Sequence, residues 1–411
     1  MGYIPELSVV VLIVLLLVDY WFLFSPKNPI TAQRFLTERL SNGDENNIQI
    51  SIVSTYRNTV SVEIIDEIPH QFQNRNVCFY TRLEPQQQQS IHYQLRPLKR
   101  GLYNFGHILV YVNGIFSLLK KRHIIQATID VPVYPSYLQL RQYQLMAISN
   151  RLSEAGIKKV RRFGHSMEFE QIKEYVQGDD YRTLNWQATA RRGQLMVNTY
   201  SDEKSQQVYC IIDKGRIMKM PFDGLSLLDY SINASLVLSN IALMKQDKAG
   251  LVTFSDTMGT HVKADKKALQ MQLIIDALYN QKTKYLETDF EKLYSHLKTK
   301  VTQRSLIVLF TNFESLSGMR RQLPYLKKIA SQHLLITVFF KNTTLQQLLD
   351  ANVQKVEDVF NKAIAEQFDY EKRQIVKELN IVGINTILTA PKDLTVNAIN
   401  KYLEIKARNL L

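Results

Sequence analysis

Residues 206–213 read QQVYCIID, a short apolar run that ends in an acid. Runs of the same type recur as AGLVTF at 249–254, SLIVLF at 305–310 and LLITVFF at 334–340. Continuous apolar runs of this length are typical of strands that are covered on both faces. Helical patterns separate the runs, so residues 205–411 predict an α/β domain with a doubly wound, mostly parallel sheet.

The helices of this domain are predicted from apolar spacing. We expect helices over Leu225–Met244, Ala268–Leu278 and Leu394–Ala407, and a last strand at Asn385–Leu388. The strand at 334–340 should be followed by a long helix. Its apolar positions are Leu345, Leu348, Leu349, Val353, Val356, Phe360 and Ile364. Because ligands bind at the carboxyl ends of the strands in such sheets, side chains that follow a strand are the first candidates for a site.

Asp213 ends the first strand of the predicted sheet, where a carboxylate can hold a cation. The order of elements and this aspartate resemble a von Willebrand factor A domain. Members of that family often carry a metal-ion-dependent adhesion site, with Asp-x-Ser-x-Ser after the first strand and a Thr and an Asp from later loops. The resemblance implies Asp213, Thr288 and Asn312 as the corresponding positions.

The implied metal site is degenerate. Gly215 and Ile217 stand where the two serines fall, and Asn312 replaces the later aspartate. One carboxylate, one hydroxyl and one amide form a poor site for Mg²⁺, which prefers a near-octahedral set of hard oxygen ligands. We therefore expect no cofactor, with Mg²⁺ as the ion that these positions would otherwise take. In the alternative, Asp213 caps a turn or helix start and Asn312 makes backbone hydrogen bonds.

The segment 136–204 joins two predicted domains and carries the most distinctive sequence. Residues 168–200 read EFEQIKEYVQGDDYRTLNWQATARRGQLMVNTY, which predicts a tight turn at 178–180 and an ion-paired, aromatic-packed cluster. The segment resembles the domain of unknown function 58 family. The matching residues are Glu168, Phe169, Lys173, Glu174, Tyr175, Gly178, Asp179, Arg182, Trp186, Ala190, Arg191, Leu195 and Val197. The family more often has Arg at the position of Lys173.

The resemblance implies an architecture for the whole chain. Family members begin with membrane helices, then have a β-rich region, the motif and a von Willebrand factor A-like domain. It also implies association with AAA+ ATPases of the MoxR type, in a chaperone-like or regulatory role. The expected function is therefore a membrane-anchored, non-enzymatic adaptor or scaffold. Its expected partners are a MoxR-type AAA+ ATPase, other membrane-associated proteins and the lipid bilayer.

Residues 41–135 alternate between apolar and polar positions. The two-residue period runs through Ile48–Ile52, Val60–Ile64, Val77–Phe79, Ile91–Leu95 and Ile108–Val112, and turn signals such as Asn113-Gly114 separate these runs. The pattern predicts a small all-β, sandwich-like domain. Six basic and no acidic residues lie between Arg96 and Arg122. They form either a solvated face or a surface that lies against anionic lipid headgroups.

Residues 7–24 read LSVVVLIVLLLVDYWFLF and predict a transmembrane helix. Asp19 lies near one end, where its carboxylate can reach the interface, and Tyr20 and Trp21 are typical of an interfacial aromatic belt. A retained anchor is favoured over a cleaved signal. Basic residues follow the span, so we expect a single pass in the inner (cytoplasmic) membrane with the soluble part in the cytoplasm. The expectation becomes two passes if the start of the chain is misassigned.

Composition limits the other classes of function. The chain has 51 basic and 38 acidic residues and two cysteines, which leaves a net charge of +13 and no thiolate zinc site or disulfide framework. The first alternative function is a metal-dependent hydrolase that uses Asp179, Asp180 and Glu174. The second is nucleic-acid binding through the basic run 158–162, but no recognition motif accompanies that run, so no nucleic-acid partner is expected.

Overall fold

The computed structural model describes residues 3–27, 29–74, 77–148, 167–202, 205–281, 283–342, 345, 356–408 and 410. The chain is a mixed α/β protein with a β-rich N-terminal region and an apolar N-terminal helix. It divides into two compact units. The first contains Met1–Arg141 with Asp223–Leu225 and Leu278–Asn280, and the second contains Gln142–Phe222, Ser226–Ala277 and Gln281–Leu411.

Helix α1, Tyr3–Phe24, is long and apolar enough to span a membrane. Only 11% of its segment Leu7–Phe24 is buried within the protein. A second helix, Leu227–Met244, passes the same test of length and composition, but 78% of it is buried, as in the core helix of a soluble domain. Near the end of α1, Asp19 and Leu23 are buried against the β-rich region.

Within the described residues, the β-rich region has ten strands in three small sheets. The strands are β1 Ile30–Phe35, β2 Leu40–Ser41, β3 Asn46–Ser54, β4 Val60–Asp66, β5 Cys78–Leu83, β6 Gln88–Leu95, β7 Gly101–Phe105, β8 Ile108–Asn113, β9 Lys120–Ile125 and β10 Ile129–Tyr134. The sheet orders are β1-β3-β6, β2-β10-β7 and β5-β4-β8-β9. Alternate residues of β3, β4 and β8 point into a shared apolar core, which also receives Leu23 of α1. The predicted strand positions in these three elements are therefore correct.

A buried ion pair lies beside this core. The guanidinium of Arg34 donates to both carboxylate oxygens of Asp66, and it also donates to the carbonyl oxygens of Ala127 at 2.8 Å and Gly106 at 3.1 Å. The two side chains are 2% and 0% exposed. The hydroxyl of Tyr93 donates to Asp66 as well, and burial together with this carboxylate raises the pKa of Tyr93. These hydrogen bonds offset part of the cost of desolvating the pair.

The predicted motif segment forms a two-stranded module after helix α2, Tyr137–Ile148. Strand β11, Met167–Glu174, pairs antiparallel with β12, Met196–Asp202, and helix α3, Trp186–Arg192, lies between them in the chain. Asn185 caps α3 by accepting a hydrogen bond from the backbone N–H of Ala188 at 3.0 Å. Gly193 ends the helix with φ = 71°, a left-handed conformation that favours glycine.

The second unit is built on a six-stranded sheet. Its strands are β13 Gln207–Asp213, β16 Lys248–Phe254, β17 Met258–Asp265, β18 Leu306–Phe310, β19 Leu334–Phe340 and β20 Asn385–Thr389, and the short strands β14 Pro221–Phe222 and β15 Leu225–Ser226 lie outside it. The order is β17-β16-β13-β18-β19-β20. All neighbours are parallel except β16 and β17. The predicted parallel strands are correct, whereas the antiparallel edge strand β17 was not predicted.

Helices cover both faces of this sheet. They are α4 Leu227–Met244, α5 Gln270–Tyr279, α6 Phe290–Lys300, α7 Leu316–Gln332, α8 Val356–Ile381 and α9 Leu394–Ala407. On one face α4 packs on β13 and β16, and α9 packs on α4 and β20. On the other face α6, α7 and α8 enclose an apolar core with Tyr209 and Ile211 of β13. Both faces of the central strands are therefore buried, which explains their continuous apolar sequence.

Helix α8 is the long helix predicted after strand β19, and its buried residues differ from the apolar positions noted in the sequence. The predicted apolar positions Leu348, Leu349 and Val353 lie outside the described residues. Val356, Phe360 and Ile364 are 73%, 67% and 51% exposed, so they do not form the buried face. Among the described residues of α8, the buried ones are Ala365, Ile375 and Leu379. The predicted long helix is therefore present over Val356–Ile381, but its apolar positions do not mark its buried face, because apolar spacing alone does not show which stripe of a helix faces the sheet.

Candidate functional site

Asp213 lies at the carboxyl end of the central strand β13 and is completely buried. Its Oδ1 accepts hydrogen bonds from the hydroxyl of Thr288 at 2.8 Å and from the backbone N–H of Gly215 at 2.7 Å. Its Oδ2 accepts from the hydroxyl of Thr311 at 2.7 Å. The structure brings Asp213 and Thr288 together as expected. The sequence analysis did not identify Thr311 as a partner of Asp213. Both carboxylate oxygens are thus engaged by donors of the same chain.

Burial raises the pKa of the Asp213 carboxyl, and the hydrogen bonds from Thr311, Gly215 and Thr288 act in the opposite direction. A buried carboxylate without a cationic neighbour pays a large desolvation cost. Three hydrogen bonds reduce that cost without a second charge. Asp213 therefore links three segments of the chain at the carboxyl ends of the strands.

Asn312 follows Thr311 but is not a neighbour of Asp213 in the hydrogen-bond network. Its Oδ1 accepts a hydrogen bond from the ammonium of Lys372 at 3.0 Å. Lys372 comes from α8 and also donates to the carbonyl oxygen of Phe313. Burial lowers the pKa of Lys372 to about 8, and the nearby Glu314 opposes this effect. The amide therefore binds an ammonium in place of the backbone hydrogen bonds that the sequence suggested.

A cavity of about 570 Å³ opens at the carboxyl ends of the strands. Its lining includes Asn312 and Lys372 together with apolar side chains such as Phe340 and Phe368. In the part of the chain that the structure describes, no three His, Cys, Asp or Glu side chains are grouped so that they could hold a metal ion.

Gly215 occupies a position with no room for a side chain. A Cβ atom there would lie 1.9 Å from the Thr288 hydroxyl oxygen and 3.0 Å from Asp213 Oδ1. We expect Gly215→Ser, which restores the first serine of the metal motif, to destabilise the second unit by about 1–3 kcal/mol because Thr288 must move. Thermal unfolding with and without Mg²⁺ measures this. A variant of unchanged stability that Mg²⁺ stabilises further would contradict the prediction.

The motif module presents its most distinctive side chains to solvent. Tyr181 and Trp186 are 69% and 68% exposed, and Val176 and Leu195 are also exposed. Arg182 lies over the ring of Tyr181, with its guanidinium carbon 5.8 Å from the ring centroid. The predicted packing of Trp186 into a cluster with arginines was therefore wrong. The reason is that the module is too thin to bury an indole, since it has one strand pair and a helix of seven residues.

The acidic residues of the motif stabilise its turn. Asp179 Oδ1 pairs with the ammonium of Lys173 at 2.9 Å, and Oδ2 accepts from the backbone N–H of Val176 at 3.0 Å. The hydrogen bond from Lys173 is the main reason that the pKa of Asp179 is lowered. Asp180 accepts from the backbone N–H of Arg182 at 3.0 Å and caps the short 3₁₀ turn Tyr181–Thr183. Both carboxylates therefore have a structural role.

The remaining motif residues are distributed along the same module. Glu174 ends β11, and the next residue, Tyr175, donates its backbone N–H to Leu195 at 2.8 Å. Ala190 and Arg191 lie on α3 and are exposed. The side chains of Glu168 and Phe169 lie outside the described residues, as does the basic run 158–162.

Comparison with known proteins shows which protein family this chain is related to. A family model described as "Protein of unknown function DUF58" matches residues 171–379, which include the motif module and most of the α/β sheet. The chain belongs to the DUF58 family. The match begins inside strand β11, so in this DUF58 protein the exposed module and the carboxyl edge of the sheet are parts of one family region.

A relative of this DUF58 protein is the uncharacterized protein YeaD of Bacillus subtilis (strain 168). The two are 25% identical over 122 residues, and the match spans 30% of each chain. Among solved structures, the conserved hypothetical protein BatB from Bacteroides thetaiotaomicron is similar at 9% identity and a TM-score of 0.29, over 50% of this chain and 100% of that one. The CARDB domain of PF1109 from Pyrococcus furiosus is similar at 14% identity and a TM-score of 0.19, over 25% of this chain and 91% of that domain.

Proposed function

We propose that this DUF58 protein is a membrane-anchored, non-enzymatic adaptor or scaffold that works with a MoxR-type AAA+ ATPase. In this proposal helix α1 anchors the chain in the membrane, and the rest of the protein lies in the cytoplasm. The second unit is a von Willebrand factor A-like domain that binds partners and has lost the metal site. Its role is chaperone-like or regulatory, and chemistry is performed by the ATPase.

One observation carries the proposal, namely the exposure of the motif module. Trp186 and Tyr181 are both more than two-thirds exposed on a short module that also carries Arg182, Arg191 and Arg192. Trp, Tyr and Arg are the residue types that contribute most binding energy at protein interfaces. Exposed aromatic side chains have no role in the core of this module, so binding to another protein is the best explanation of their presence.

The chemistry of the donor groups favours binding over catalysis. Asp213 accepts three hydrogen bonds from its own chain, and the Oδ1 of Asn312 faces the ammonium of Lys372. A divalent cation would have to displace these donors, so this set of residues does not fit Mg²⁺. The hydrolase alternative is weakened in the same way, because Asp179 and Asp180 are used by their own turn.

A binding experiment on the full chain in detergent or nanodiscs tests the proposal. The binding partner in the assay is a purified MoxR-type AAA+ ATPase, with and without nucleotide. We expect Trp186→Ala to weaken binding about thirtyfold, which corresponds to about 2 kcal/mol for an interface hot spot. Because Trp186 is 68% exposed, its truncation should leave the melting temperature nearly unchanged.

Tyr370→Ala is the matched control for this experiment. Tyr370 lies on α8 of the same unit and is 62% exposed, so its truncation removes a similar exposed area without touching the module. Binding of this variant should equal that of the parent chain. Absence of binding by the parent chain in every nucleotide state, or equal binding by the Trp186 and Tyr370 variants, would contradict the proposal.

A further inference from the structure

The hairpin between β8 and β9 ends in an exposed apolar tip. The tip, residues 114–119, reads GIFSLL. Ile115, Phe116 and Leu118 are 53%, 48% and 42% exposed. Three adjacent large apolar side chains at the end of a hairpin are costly to leave in water, at about 25 cal/mol for each Å² of apolar surface. Exposed patches of this kind mark contact sites.

The tip is fixed to helix α1 by hydrogen bonds. Asp19 Oδ1 accepts from the backbone N–H of Phe116 at 2.9 Å, and Oδ2 accepts from the backbone N–H of Leu118 at 3.0 Å. Gly114 is required for this approach, since a Cβ atom there would lie 2.4 Å from the carboxyl carbon of Asp19. The sequence places Asp19 near one end of the span, where its carboxylate can reach the interface. In the structure this carboxylate is buried and accepts its hydrogen bonds from the hairpin backbone.

These hydrogen bonds determine where the tip lies along the helix. Asp19 is five residues from Phe24, the last residue of α1, which is about 7.5 Å along the helix axis. Tyr20, Trp21 and Phe24 are exposed on this same stretch of helix. Aromatic residues in this position relative to an apolar span are typical of the membrane–water interface. The apolar tip therefore lies at the level of the aromatic residues of α1.

Basic side chains follow the tip in strand β9. The ammonium of Lys121 donates to the carbonyl oxygen of Leu23 at 2.9 Å and lies 4.6 Å from the ring centroid of Phe24. Lys120 pairs with Glu63 at 2.8 Å, and Arg122 is exposed. Apolar tip residues followed by cations match the order of a bilayer surface, in which acyl chains are followed by phosphate groups.

We propose that the β8–β9 tip inserts into the interfacial layer of the same bilayer that α1 spans. The proposal rests on the anchoring role of α1 and goes beyond it, because it assigns a second membrane contact to the β-rich region. Ile115, Phe116 and Leu118 lie among the upper acyl chains and headgroups. The carboxylate of Asp19 needs no water at this depth, because two backbone N–H groups of the hairpin solvate it.

Fluorescence quenching on the full chain tests this proposal. In a Cys78→Ser background, Phe116→Cys is labelled with nitrobenzoxadiazole, while Cys210 is completely buried and stays unlabelled. The control is Gln126→Cys, which is exposed just beyond the other end of β9, about 20 Å from the tip. A third probe at Leu15→Cys reports on the anchor. The chain is reconstituted into phosphatidylcholine–phosphatidylglycerol vesicles that contain nitroxide lipids, with the nitroxide at a shallow position for the Phe116 and Gln126 probes and deep in the acyl chain for the Leu15 probe.

We expect several-fold stronger quenching of the Phe116 probe than of the Gln126 probe. If the Leu15 probe is quenched and the Phe116 and Gln126 probes respond equally, the tip proposal is wrong while the anchor stands. If the Leu15 probe is not quenched, both are wrong. A Phe116 probe that is shielded from aqueous iodide but not reached by nitroxide lipids would indicate a protein contact and would also overturn the proposal.

Discussion

Replacing Asp66 by alanine is expected to lower the free energy of unfolding of the β-rich region by about 3–5 kcal/mol. The substitution leaves the Arg34 guanidinium buried at 2% exposure without a counter-charge. Tyr93 loses the acceptor of its hydroxyl in the same step. Hydrogen exchange of the amides in β4 and β8, followed by mass spectrometry, measures the local loss of stability.

The double variant Arg34→Met with Asp66→Ala is the control for this prediction. It removes both charges, so we expect it to be less destabilised than the sum of the two single variants. Additive losses would show that the two side chains contribute independently. That result would contradict the interpretation of Arg34 and Asp66 as a coupled, desolvated pair.

Asp213→Ala is expected to destabilise the second unit by about 3 kcal/mol or more. The substitution leaves the hydroxyls of Thr288 and Thr311 and the N–H of Gly215 without their acceptor. Asp213→Asn should cost only about 1 kcal/mol, because the amide oxygen still accepts from Gly215 and the hydroxyls can rotate. Thermal unfolding of the full chain in detergent separates the two variants.

The pH dependence of Asp213 has a defined sign. Its pKa is raised in the folded state, so the folded protein binds the proton more tightly than the unfolded chain does. The stability that the Asp213 carboxyl contributes is fully present below the ordinary carboxyl pKa. It is lost as the pH rises through the raised pKa of the folded state. Asp213→Asn does not titrate, so its stability relative to the parent should increase over that interval.

The effect of Mg²⁺ on the melting temperature tests whether Asp213 binds a metal ion. Addition of Mg²⁺ or of a chelator should leave the melting temperature of the parent chain unchanged, because the donor set of Asp213 is already complete. A rise in melting temperature with Mg²⁺ that Asp213→Asn abolishes would show that the carboxylate binds the ion. That result would contradict the proposed loss of the metal site.

Several parts of the fold could be predicted because their residues have simple periodicity. The alternation at 48–52 and the continuous run at 208–212 both gave correct strands, since period and continuity report directly on how many faces are buried. The position of Asp213 at the end of a predicted strand likewise indicated where a candidate site carboxylate would lie. Thr288 was identified only through the resemblance to the von Willebrand factor A metal motif, in which it matches the later Thr.

The remaining features depend on contacts that are distant in the sequence. Lys372 lies 60 residues from Asn312, and no local pattern marks a lysine that enters an apolar cavity. The hydrogen bonds from the 114–118 backbone to Asp19 cross 97 and 99 residues, and backbone donors have no signature in a sequence. The exposure of Trp186 was mispredicted because an indole near arginines is equally compatible with packing and with an interface.

The attachment of α1 to the hairpin also has a mechanical consequence. The carbonyl oxygen of Leu23 accepts hydrogen bonds from Lys121 and from the hydroxyl of Tyr56 at 3.4 Å, and Asp19 is held one turn earlier. A force that pulls on α1 is therefore transmitted to the strands β4, β8 and β9 as shear. No flexible linker has to be extended first. If α1 anchors the chain as proposed, tilting of the helix in the bilayer would move the β-rich region with it.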